Sequence, residues 1–182
     1  MGRVKGGKIS SKIAFIREYY GEEMIQKIVA SMTPRDQAEL KLILDTAWYS
    51  IDLYDRFVVA ICDVAASGDS SVYEKIGFHS ADLAFSTTYK TFRGKNPTDL
   101  FEKTLSMHAM RNDPAEMKVI SQQDGACIVR IAQPRSTVAL CSLARAFYVR
   151  AIELCGQSNV RVRETSCSGR HEAYCQFEIA WQ

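Results

Sequence analysis

The chain has 182 residues, 47% of them hydrophobic and 24% charged, which is the size and balance of one ordinary globular domain and excludes disorder for most of its length. Ten glycines and four prolines exclude a collagenous or linker-dominated chain, and no run nears the roughly eighteen apolar residues of a membrane-spanning helix, so a soluble protein is expected. Lys plus Arg (23) against Asp plus Glu (21) leaves a net charge of +2, too weak a field to single out nucleic acid or an anionic membrane as partner.

The first residues carry Arg3, Lys5, Lys8 and Lys12 and read as a flexible polar start over 1–12, ahead of a single domain over 13–182. They lack the apolar core of a secretory signal, and Gly6 stands where a myristoylation site needs Ser or Thr. The expected compartment is the cytosol, where Cys62, Cys127, Cys141, Cys155, Cys167 and Cys175 are read as buried or metal-bound thiols in preference to disulfides. Apolar periodicity predicts a helix from Ile9 to Met32. Thr33-Pro34-Arg35-Asp36 and Asn96-Pro97-Thr98-Asp99 share one helix-start grammar: an oxygen-bearing cap, a proline that needs no N–H, and an acid near the positive helix end. They predict helices to about Ala47 and Met110, with two more between them over Ser50 to Ala66 and Ser70 to Phe92. The first 110 residues are therefore expected to be almost wholly helical.

The pattern then changes. Glu116 to Ser121 and Ala126 to Gln133 are short, rich in Val and Ile, and joined by Gln123-Asp124-Gly125, which predicts a hairpin. Helical spacing returns from Ser136 to Leu154 and stops at Gly156. A second hairpin pairs Asn159 to Glu164 with Ala173 to Ala180. The fold class expected is α+β, with a helical N-terminal part packed on an antiparallel sheet of two hairpins flanking one helix.

Strand parity in the last hairpin is the most informative local feature, because alternate side chains point to opposite faces. Val160, Val162 and Glu164 share one face; Ala173, Cys175, Phe177, Ile179 and Trp181 share one in the partner strand. With the apolar faces inward, Glu164 points at the core, where a carboxylate needs a cation, a metal or several hydrogen bonds. Cys167, three residues on, joins it only if the chain leaves the regular strand, which Ser168-Gly169 permits. Glu164, Cys167 and Cys175 then present one oxygen and two sulfurs, a set that suits zinc. Spacing alone does not choose the fourth ligand among Cys141, Cys127, Cys155 and His171. The alternative is that Cys141 and Cys175 pack as small apolar residues while Glu164 pairs with Arg145 or Arg163.

The ending from Glu164 through Cys167 and Cys175 to Trp181 resembles the C-terminal signature of the 4-vinyl-reductase-type domain, of a superfamily shared with haem-nitric-oxide-binding domains and TRAPP vesicle-tethering subunits. The Met-Thr-Pro-Arg stretch, Trp48-Tyr49 and Ile76-Gly77 look most like a bacterial branch known from myxobacteria. The resemblance implies a TRAPP-like fold from about residue 10 onward and a structural zinc held by Cys141, Glu164, Cys167 and Cys175. It also implies no haem, since the Tyr-x-Ser-x-Arg haem signature is missing, and no phenol, since the anchoring His and Trp of the aromatic sensors have no match.

Phe78, Phe85, Tyr89 and Phe92 lie near one helical face and read first as core; in the superfamily such helices enclose a ligand, so a pocket lined by these four with Trp48, Tyr49 and Phe57 is expected. His79 and Asp82 are neighbours on one helix and read as surface hydrogen bonding. His108 and His171 have no partner visible in the sequence. No nucleophile elbow, phosphate loop or dinucleotide fingerprint occurs, so no catalytic residue is expected. The arginines at 130, 135, 145, 150, 161, 163 and 170 read as a solvated basic exterior. The function expected is a non-enzymatic cytosolic regulatory domain that binds a small apolar ligand, carries a structural zinc, dimerises and signals through an unidentified protein partner. The alternative is a ligand-free dimeric adaptor of the TRAPP-like type.

Overall fold

The structure is a computed structural model that describes residues 2–114, 116–132 and 137–182. Strand β1 (Arg3–Lys5) leads into helices α1 (Gly7–Tyr20), α2 (Glu22–Ala30) and α3 (Pro34–Leu40). The start expected to be flexible is thus a strand followed by the first turns of a helix. The single helix expected over Ile9 to Met32 is two, because Gly21 takes φ +84° between them, a conformation that favours glycine. At the head of α3 the Thr33 hydroxyl accepts from the Asp36 amide at 3.2 Å, with Pro34 in the first turn.

Strand β2 (Trp48–Ser50) precedes α4 (Ile51–Ala60), which continues into a π-helical turn over Ile61–Ala65, and α5 (Val72–Ser86) and α6 (Pro97–Arg111) come next. Asn96 caps α6 by accepting from the Thr98 amide at 3.0 Å. Strand β3 (Asn112–Asp113) joins β1 and β2 in a small antiparallel sheet of order β2-β1-β3. Sequence periodicity misses this sheet, because strands of two or three residues carry no alternation and their partners lie far apart in the chain.

The two expected hairpins are present as β4 (Glu116–Gln123) with β5 (Ala126–Ala132) and β6 (Arg161–Ser166) with β7 (Cys175–Ala180), with α7 (Val138–Leu154) between them in sequence. They form one antiparallel sheet of order β4-β5-β7-β6. The class is α+β, as expected. One apolar core gathers α1, α2, α4 and the start of α5 around Phe15, Ile16, Phe57 and Ile76. A second lies between the four-stranded sheet, α6 and α7 around Phe101, Val129, Tyr148 and Phe177. Helices α5 and α7 join the two, and Gly77 sets their separation: a Cβ there would come within 2.6 Å of both the Ala146 Cβ and the Leu143 carbonyl. No helix among the described residues is long and apolar enough to cross a membrane.

Candidate functional site

Two sites emerge, and they share a wall. The first is the thiol cluster. Cys141 sits in the first turn of α7, which the Thr137 hydroxyl caps by accepting from the Leu140 amide at 3.3 Å. Strand parity holds in the last hairpin: Cys175, Phe177 and Ile179 are buried, and the Glu164 side chain is 13% exposed. The register between β6 and β7 slips between Glu164 and Ser166. This irregularity reverses the parity of the residues beyond it, so that Cys167 also turns inward. Gly169 then lets the turn lie against the head of α7, where a Cβ would come within 2.7 Å of the Val138 nitrogen.

As a result the ligand atoms of Cys141, Glu164, Cys167 and Cys175 all lie within 4.8 Å of one another. The Cys141 and Cys175 sulfurs are 3.1 Å apart and those of Cys167 and Cys141 3.4 Å. The Ser168 amide donates to Cys175 Sγ at 3.4 Å. Burial holds the Cys167 thiol above its ordinary pKa, a rise that Cys141 opposes and the Glu164 carboxylate reinforces. Glu164 approaches Arg170 at 3.5 Å, whereas Arg163 pairs with Glu178; the Glu164 Oε1 is buried with no hydrogen-bond partner.

The second site is a cavity of about 730 Å³ bounded by α1, α4, α5, α6, α7 and the sheet, within the roughly 300–1,000 Å³ of small-molecule and cofactor pockets. Helix α7 supplies an apolar wall through Leu140, Leu143, Ala144 and Phe147, and Cys141 and Cys175 place the thiol cluster against it. Helix α1 contributes Lys8 and Lys12, and α6 contributes His108 and Arg111. His108 Nε2 is buried without a hydrogen-bond partner. Burial, helped by the charge of Lys8, pushes its pKa down to about 3, so the imidazole is neutral at neutral pH. Lys8 Nζ donates to Asn112 Oδ1 at 2.6 Å, and Asn112 Nδ2 donates to the His108 carbonyl at 2.8 Å. The amine end of α1 is thereby tied to the end of α6.

The lining differs from the aromatic series expected. Of Trp48, Tyr49, Phe57, Phe78, Phe85, Tyr89 and Phe92, only Tyr89 borders this cavity. Phe57 and Phe85 are fully buried in the two cores, and Phe92 packs at the edge of the second. Trp48 lies at the surface under the cations of Arg3 and Lys5. The Tyr49 hydroxyl accepts from the Leu44 amide at 3.0 Å. Phe78 borders a smaller hollow of about 270 Å³, together with His79 and Asp82. Those two bind separate partners, His79 with Glu18 at 3.2 Å and Asp82 with Arg150 at 3.0 Å. His171 ends the turn after β6 in the left-handed conformation.

The residues missed in the sequence are His108, Lys8 and Lys12. A signal existed for Lys12: it shares one face of α1 with Ile9 and Ile16, at helical spacing, and all three are buried.

No family model matches the chain, and no curated protein matches it. Solved structures do. One is an H-NOX protein from S. oneidensis in the Fe(II)NO ligation state, 14% identical, TM-score 0.71, covering 98% of this chain and 99% of its own. The chain has the H-NOX fold. An Fe(II) unliganded H-NOX protein from K. algicida matches at 10% identity and TM-score 0.71, covering 98% of this chain and 96% of its own. An oxygen-binding H-NOX domain related to soluble guanylate cyclases matches at 12% identity and TM-score 0.72, covering 98% and 95%.

These matches correct three expectations. The fold neighbours are H-NOX domains, which overturns the 4-vinyl-reductase/TRAPP-like assignment. One matched structure, 12% identical with TM-score 0.72, is described by its heme distortion, which conflicts with the expectation of no haem, and none of the matches supports a structural zinc. The regulatory domain with a zinc and a small apolar ligand falls with it, as does the ligand-free adaptor. The C-terminal motif misled because a short run of Cys and Glu reports how one hairpin ends, whereas the overall path of the chain is set by helix packing spread along its length.

Proposed function

We propose that this chain is a non-catalytic haem-binding sensory domain in which His108 would hold the haem iron. The observation that carries the reading is the neutral imidazole of His108, its buried Nε2 without a hydrogen-bond partner, on the wall of a large cavity within an H-NOX fold. A buried nitrogen without a partner forfeits its hydration on folding, and a metal ion is the partner that neutral imidazole takes best. The residues present fit haem in three respects. The volume suits a large flat molecule, the α7 wall is apolar, and the histidine is a ligand of the kind that holds haem iron. When bound, haem supplies an iron centre open to a diatomic gas of the kind named for the fold's relatives. The chain's own residues place the imidazole on α6, line the cavity with the apolar Leu143 and Phe147, and link α6 to α1 through Asn112.

The test is reconstitution with haem followed by absorbance, on the wild type and His108→Gly. One haem per chain with a Soret band that shifts in the variant, and returns toward the wild-type position with added imidazole, is the expected outcome. Absence of haem uptake, or an identical spectrum in the variant, overturns the assignment.

The buried, partnerless Glu164 Oε1 supports a second, separate reading, that Cys141, Glu164, Cys167 and Cys175 are a metal-ligand set. Elemental analysis of untagged protein, with Cys167→Ser beside it, tests this: one metal per chain lost in the variant supports it, and a metal-free wild type overturns it.

A further inference from the structure

We propose that Lys12 and Lys8 form the subsite for the carboxylates of the cavity ligand, so that the chain selects a ligand by its acid groups as well as by its shape. The proposal rests on the cavity reading above.

Lys12 is the most deeply buried cation described, 3% exposed, and it lines the cavity. Its Nζ donates to two serine hydroxyls, Ser80 Oγ at 2.9 Å and Ser11 Oγ at 3.2 Å. Each serine sends its own proton elsewhere, Ser80 to the Ile76 carbonyl at 2.6 Å and Ser11 to the Lys8 carbonyl at 2.8 Å, so both offer lone pairs to the amine. An ammonium carries three donors, and the third has no acceptor among the described residues. Lys8, one turn earlier, gives a single hydrogen bond, to Asn112. The Tyr54 ring lies 5.5 Å from one amine and 5.7 Å from the other, joining them as one patch. Arg111 adds a third cation on the lining, donating to Thr88 Oγ1 at 3.0 Å.

None of the three cations has a carboxylate partner among the described ion pairs. The lone acid on the cavity lining, Asp45, is exposed and accepts from Ser10 Oγ at 2.6 Å. Burying like charges together without a counter-ion is costly, and burial, with the charge of Arg111 acting on Lys8 and that of Lys8 on Lys12, lowers the proton affinity of both amines. A chain seldom retains such a cost for stability alone; a carboxylate entering the cavity supplies both the missing acceptor and the missing charge, through short charge-assisted hydrogen bonds.

The probes are metal-free protoporphyrin IX, which has two carboxylates, and its dimethyl ester, which has the same ring and none. Each is titrated into the apoprotein, following porphyrin fluorescence, for the wild type, Lys12→Met, Lys8→Met and His108→Gly. The expected result is that the wild type binds the diacid at least tenfold more tightly than the ester. Either lysine variant weakens the diacid about tenfold and leaves the ester unchanged, and His108→Gly keeps the preference. Equal binding of diacid and ester by the wild type, or an intact preference in Lys12→Met, overturns the subsite while leaving the cavity reading standing. Failure of both porphyrins to bind overturns the subsite, and haem uptake by the wild type tests the cavity reading separately. Circular dichroism of Lys12→Met confirms that a lost preference is not a lost fold.

Discussion

The molecule buries charge in two places and treats it in opposite ways. Between α3 and α4, Asp36 is 1% exposed and receives a two-pronged bond from Arg56, Nε at 2.9 Å and Nη2 at 2.6 Å. The guanidinium holds the Asp36 carboxyl below the ordinary carboxylate range, and the Asp36 amide donates to Thr33. Every group there has a partner supplied by the fold. In the cavity, Lys12 is almost as deeply buried and is met only by neutral hydroxyls, and burial pushes its pKa down to about 7. The first site is finished when the chain folds. The second is finished only when something else arrives, and that difference separates a structural charge from a binding one.

Breaking the finished site has the largest expected effect. Asp36→Ala strands the Arg56 guanidinium and removes a bidentate charge-assisted pair, with a loss of about 2 kcal/mol expected because Arg56 keeps partial access to water. Denaturant unfolding measures it, and a change below a few tenths would erase the contrast with the cavity.

The same experiment at the unfinished site has the opposite sign. Lys12→Met keeps the length of the side chain and removes the buried amine, so the ligand-free protein is expected to gain about 1 kcal/mol, seen as a higher Tm. A stabilised variant that no longer distinguishes diacid from ester is the stability-for-function exchange expected of a binding residue. A destabilised one would place Lys12 with Asp36 as structure.

The smallest effects are in pH, where both sites make stability rise with pH, Asp36 in the acid range and the two lysines in the alkaline one. Asp36 is depressed in the folded state, so its contribution is present above the unfolded carboxyl pKa and is lost as pH falls through the folded one. Lys12 and Lys8 are lowered from 10.5 to about 7 and about 8. Between those values and 10.5 the unfolded chain binds more protons, so stability rises with pH across that window. Melting curves of the ligand-free protein from pH 7 to 10 are expected to climb for the wild type and to climb less for Lys12→Met. A flat wild-type profile would show that the amines are not desolvated.

Much of the local structure was legible from the residues. The caps at Thr33 and Asn96, the two hairpins and the α7 stop at Gly156 each arise from a few neighbouring positions whose backbone needs are strict. Parity placed Glu164 and Cys175 on the inward face, but the turn that brings Cys167 to them comes from the register slip between Glu164 and Ser166 and not from Ser168-Gly169, where the sequence had put it. The cavity was not legible. Lys8 and Lys12 read as part of a polar, mobile start because the short sheet that anchors Val4 pairs it with Tyr49 and Asn112, partners too distant for any window to reveal. His108 sat on a predicted helix with no neighbour to give it a role, and the aromatic series that seemed to line a pocket fills cores and surfaces instead.

By itself the sequence determined most of the helices, the two hairpins and which of their faces are apolar, since those properties depend on side chains a few residues apart. It also determined the α+β class and the ligand atoms available at the last hairpin. Only the tertiary structure decided what those faces enclose. The packing of α5 on α7 at Gly77, the pairing of β1 with β2 and β3, and the placing of α6 opposite α1 leave a cavity where two amines lack a carboxylate among the described ion pairs and the His108 Nε2 lacks a hydrogen-bond partner. A void and an unsatisfied group are properties of several elements at once, set by how closely helices approach in space, and no local pattern along the chain encodes them.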